Sequence, residues 1–112
     1  MQELDRPEGL DDALGIAADQ PILLFKHSTR CPISAAALKR TEAWLTQQAA
    51  APPFYLIKVI ESRGLSQEIA RRFAVEHQSP QALLIYRGAV RWHASHGAIQ
   101  AAALDEAVSR LS

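Results

Sequence analysis

The apolar positions of this chain switch repeatedly between two periods. Leu10, Leu14 and Ala17 recur at helical spacing within residues 10–18. Residues 21–27 form a continuous apolar run of strand length, the pattern of a central strand covered on both faces. From about Arg30 to Gln48 the period is helical again. Ile33, Ala37, Thr41, Trp44, Leu45 and Gln48 fall on one side of it, with Lys39, Arg40 and Glu42 largely elsewhere. Pro52-Pro53 cannot continue that helix. Residues 54–60 are aromatic and β-branched, which predicts a second buried strand. Leu65, Ile69 and Phe73 then recur every four residues and mark a third helix.

After His77-Gln78-Ser79-Pro80 come two strands, 81–86 and 89–94. Arg87-Gly88 joins them as a tight hairpin turn, with Gly88 free to take positive φ. A last helix is expected from about Ile99 to Leu111, its inner stripe Leu104, Ala107, Val108 and Leu111. Strand–helix–strand order implies parallel pairing through a right-handed crossover, and the final hairpin implies an antiparallel pair. The expected fold is an α/β single domain over 1–112: a mixed four-stranded sheet flanked by helices on both faces.

Length agrees with one domain, because 112 residues bury one modest core without needing disulfides or metal. Twelve basic and twelve acidic side chains balance, and Lys39-Arg40 and Arg71-Arg72 are only short pairs, so no nucleic-acid partner is expected. No apolar run approaches the ~20 residues of a membrane span, so no membrane partner is expected either. The acidic start Met1-Gln2-Glu3-Leu4-Asp5-Arg6 lacks an apolar core, and a cytoplasmic location is the expectation. His77, His93 and His96 match no ligand spacing, so no metal is expected. Trp44 and Trp92 read as packing residues.

The chemistry converges on Cys31, the only cysteine. A single cysteine excludes an internal disulfide. A buried structural cysteine would sit within an apolar stripe, but the neighbours here are Ser28, Thr29, Arg30, Pro32 and Ser34. That setting points to a reactive thiolate at a helix N-terminus, where unpaired amides and a partial positive charge favour an anion. Thr29 is the candidate N-cap, Arg30 a neighbouring cation, and Pro32 suits the first turn. Ser34, one turn on, either donates a hydrogen bond to the thiolate or is a solvated first-turn serine. His27 either serves as an acid for a leaving thiolate or closes the strand at the surface.

The element order, with Cys31 after the first main strand and Ser79-Pro80 before the hairpin, resembles thioredoxin along nearly the whole chain. More narrowly, Phe25-Lys26-His27-Ser28-Thr29-Arg30-Cys31-Pro32-Ile33-Ser34 resembles the signature of the YtxJ-type bacillithiol-system redox proteins, a monothiol bacilliredoxin family. The second cysteine of most thioredoxins is replaced by Ser34. The resemblance therefore implies monothiol exchange, in which Cys31 removes a low-molecular-weight thiol, bacillithiol, from thiolated client proteins. It implies no bound cofactor, bacillithiol being a co-substrate. It also implies a cis Ser79-Pro80 bond facing Cys31, with the Ser79 backbone presented to an extended substrate. Two alternatives stand beside this reading. One is a glutathione-dependent monothiol glutaredoxin-like protein, although Pro32-Ile33 replaces the Gly-Phe such sites prefer. The other is a non-enzymatic thioredoxin-fold stress or binding module.

Overall fold

A computed structural model describes residues 1–111 of the chain. The elements in order are β1 (Gln2–Glu3), α1 (Pro7–Ile16), β2 (Ile22–His27), α2 (Pro32–Thr46), β3 (Phe54–Lys58) and α3 (Arg63–Phe73). They continue with β4 (Gln81–Tyr86), β5 (Ala89–Ser95), a 3-10 turn (His96–Ala98) and α4 (Ala101–Ser109). The sheet has five strands in the order β1-β3-β2-β4-β5. β1 and β2 both run parallel to β3, while β2–β4 and β4–β5 are antiparallel. The expected four strands thus gain an edge strand. β1 has only two exposed residues and shows no apolar alternation. It is held by Leu4, which is buried and donates its N–H to the Leu56 carbonyl at 2.8 Å.

The sheet separates two cores, because successive side chains of a strand point to opposite faces. Ile22 and Leu24 pack with Leu10, Ala13, Leu65 and Ile69 on the α1/α3 face. Leu23 and Phe25 pack with Ala37, Trp44, Leu104 and Ala107 on the α2/α4 face. β2 is buried from Ile22 to Lys26, as a central strand must be.

Two expectations need correction. The stripe on α2 is Ser34, Ala37, Thr41 and Trp44, and Ile33 is 58% exposed, although it was expected among the inward residues. Spacings of three, four and three keep residues 34, 37, 41 and 44 on one helix face; residue 33 lies about 100° away from Ser34. The helices are also shorter than their periodicity: α2 starts at Pro32 instead of Arg30, and α4 covers only Ala101–Ser109. The hairpin turn has positive φ at both Arg87 (53°) and Gly88 (77°). That pair of angles matches the twist of flanking strands. Arg87 is held there by its N–H, which reaches the Ala17 carbonyl at 2.7 Å, and by its guanidinium, 4.9 Å from the Tyr86 ring centre.

Candidate active site

β2 and β4 pair with Lys26 opposite Gln81. Continuing that register sets His27 and Ser28 opposite Pro80 and Ser79. The loop carrying Cys31 and the segment entering β4 therefore lie at the same end of the sheet. The Ser79–Pro80 bond is cis, as the resemblance implied. Pro80 is buried and its carbonyl accepts the His96 N–H at 3.1 Å. The Ser79 hydroxyl is buried without a hydrogen-bond partner among the described residues.

Cys31 itself is the N-cap of α2, with extended backbone (φ −114°, ψ 117°) and a partly exposed side chain. This corrects the expectation that Thr29 caps the helix. Pro32 takes the first helical position, where a missing N–H costs nothing. The first intrahelical bond runs from the Ala35 N–H to the Cys31 carbonyl at 3.0 Å. The N–H groups of Ile33 and Ser34 therefore have no partner within the helix, and no side chain caps them. A cap side chain accepts from these second and third amides, so a Cys31 thiolate would take the place a serine or aspartate oxygen usually holds. The first turn carries no acidic residue to oppose that charge. Arg30 is exposed on the turn just before the cysteine.

Thr29 has a different task. Its hydroxyl donates to Glu61 Oε2 at 3.2 Å, which ties the cysteine loop to the connection between β3 and α3. Val59 reinforces the tie by donating its N–H to the His27 carbonyl at 3.0 Å. Glu61 is thus part of the frame that holds the loop.

Ser34 is fully buried, which overturns the solvated alternative. Its hydroxyl oxygen accepts the Ser28 N–H at 3.0 Å and lies 2.7 Å from His27 Nδ1. Burial is the main influence on His27 and lowers its pKa; Glu61 and Glu42 raise it and Lys58 lowers it. A neutral ring with its proton on Nε2 satisfies the whole set: the Ser34 O–H donates to Nδ1 while its oxygen accepts from Ser28. In that arrangement Ser34 has no proton left for sulfur. It clamps the start of α2 to the end of β2 and so fixes where the Cys31 backbone lies. His27 ends β2, as expected, but faces inward to this clamp.

Sequence reading missed one feature. Lys26 is fully buried at the end of the central strand. Its amine lies 3.1 Å from His77 Nδ1, and the Ser66 hydroxyl lies 3.1 Å from the same nitrogen. Burial lowers the Lys26 pKa from 10.5 to about 8. His77 is lowered too, by burial first and by the neighbouring lysine second. A charged residue at an inward position of an apolar strand was the available signal.

The architecture is that of a thioredoxin fold, with a lone cysteine capping α2 at the end of the sheet where the Ser79–Pro80 bond is cis. Residues 2–104 match the monothiol bacilliredoxin BrxC family, and the chain belongs to it. Among solved structures, it superposes on a thioredoxin-fold protein described as an oxidoreductase with a TM-score of 0.85 and 30% identity. That match covers 96% of this chain and 92% of the other. Thioredoxin from Fasciola hepatica matches with a TM-score of 0.77 at 17% identity, covering 100% of both chains. Thioredoxin from Nicotiana alata matches with a TM-score of 0.76 at 14% identity, over 97% of this chain and 90% of the other. The last two likenesses are of fold alone. Among the described residues no helix is long and apolar enough to cross a membrane, and no cluster of three or more His, Cys, Asp or Glu could hold a metal ion.

Proposed function

We propose that the protein removes a low-molecular-weight thiol from mixed disulfides on client proteins, with Cys31 as nucleophile and bacillithiol as the thiol. The observation that carries this reading is the position of Cys31 as N-cap, with two uncapped amides in the turn that follows it. The Cys31 thiolate attacks the small thiol's sulfur. A new S–S bond forms between them, the client's S–S bond breaks, and the electron pair leaves with the client sulfur as a thiolate. A second small-thiol thiolate then attacks the adduct, which frees Cys31 and yields a symmetrical small-molecule disulfide. No protein thiol can perform that second step within the chain, because Cys31 is the only cysteine.

The extended client segment pairs with the Ser79 backbone beside Pro80, in the manner of a strand added to a sheet edge. Ser34 and His27 hold the cysteine loop and take no part in bond making. Turnover tests the scheme. With a bacillithiolated reporter client in excess, one equivalent of client per protein should be freed rapidly, and further release should need added bacillithiol. Continued turnover without any added thiol would overturn it.

A further inference from the structure

A second concave feature adjoins the cysteine loop. It is a cavity of about 400 Å³ lined by Val59, Ile60, Arg63, Ser66, Gln67 and His77. Val59 belongs to the connection that bonds to His27, and His77 lies two residues before Ser79, so the cavity flanks the same end of the sheet. Arg63, Ser66 and Gln67 are three or four residues apart or adjacent on the first turns of α3 and line one wall of it.

The lining is rich in donors and has no carboxylate. Arg63 makes no ion pair among the described residues. Glu61, the nearest acid on the connection, is drawn to the Thr29 hydroxyl. Behind the lining lies the Lys26 amine, fully buried and without an anionic partner among the described residues. A lysine ammonium can only donate, so His77 Nδ1 must accept. That puts the ring's proton on Nε2 and makes His77 a donor among the residues lining the cavity. The lysine so sets the ring's tautomer and adds positive potential behind it. α3 contributes its own uncapped first-turn amides, since Ser62 makes no side-chain cap.

We propose that this cavity binds the carboxylate end of the small thiol whose sulfur Cys31 takes up, an assignment that rests on the thiol-transfer reading above. Arg63 and His77 Nε2–H are the recognising donors, and Lys26 is a positioning residue that acts through His77.

The test uses a reporter client carrying bacillithiol in mixed disulfide, and the same client carrying bacillithiol whose carboxylates are masked as methyl esters. The free-acid client should react with a kcat/KM about two- to five-fold above the ester, the value of one exposed ion pair. Arg63→Gln and Gln67→Glu, both exposed positions, should each bring that ratio toward one. Succinate should shift the backbone amide resonances of Gly64, Ser66 and His77 in the wild type, and should need several-fold more ligand in either variant. Equal rates for the two clients in the wild type would overturn the proposal, whether or not succinate binds. Failure of both clients to react would instead bring down the thiol-transfer reading, and the small-thiol assignment with it, while the succinate shifts would still show whether the cavity holds a carboxylate.

Discussion

Lys26→Met should stabilise the protein at neutral pH and lose that advantage in alkali. The lysine is fully buried in the central strand, with one hydrogen bond to His77 Nδ1 at 3.1 Å. Its pKa falls from 10.5 to about 8 through burial. At about 1.4 kcal/mol per pH unit, keeping it charged in the fold costs roughly 3 kcal/mol. Methionine has a similar shape and no charge. It forfeits one hydrogen bond, about 1 kcal/mol, and His77 Nδ1 keeps the Ser66 hydroxyl as a partner. The net gain at pH 7 is about 2 kcal/mol, or roughly 8 °C in Tm for a domain of this size. The pH window follows from the direction of the shift. Below pH 8 both folded and unfolded chains carry the charge, and the fold bears the full cost. Between 8 and 10.5 the unfolded chain holds a proton that the folded chain has lost, so wild-type stability rises with pH. Urea denaturation of both proteins at pH 7, 9 and 10.5 measures this directly. The variant's advantage should shrink across the series and reverse by about 1 kcal/mol at the top. A variant less stable than wild type at pH 7, or an advantage that does not change with pH, would refute the reasoning.

Two further outcomes are expected. Ser34→Ala strips a hydrogen-bond partner from the Ser28 N–H and from His27 Nδ1, and should cost about 1–3 kcal/mol in urea denaturation, the usual penalty for orphaning a buried polar group. Cys31→Ser changes a partly exposed side chain with no cavity left behind; Tm should move by less than about 3 °C, while labelling by thiol reagents and transfer of a small thiol should both vanish.

Much of this architecture was legible in the order of periods along the chain. The runs at 21–27 and 54–60 became β2 and β3, the repeat of Leu65, Ile69 and Phe73 became α3, and Arg87-Gly88 made the hairpin turn. β1 escaped because two exposed residues carry no periodic signal; only its anchor, Leu4, is apolar and buried. The polar string around Cys31 pointed to a candidate site but not to how its loop is held. The spacing of four from Ile33 to Ala37 and Thr41 placed Ile33 inward, whereas the helix begins one residue after Cys31 and turns Ser34 inward instead. The serine is tolerated there because His27 and Ser28, both local in sequence, satisfy its hydroxyl. The cluster of Lys26, Ser66 and His77 could not be read from spacing. Its members come from a strand, a helix and a loop up to 51 residues apart, and only the folded sheet brings them together.

Intact-mass measurement tests the central claim most directly. The protein is mixed with a stoichiometric amount of bacillithiolated reporter client, quenched with acid within seconds, and both chains are weighed. The expected result is the loss of one bacillithiol from the client and the gain of the same mass on this protein, mapped to Cys31 by fragmentation. A client that keeps its adduct beside an unmodified protein would contradict the assignment of Cys31 as the nucleophile.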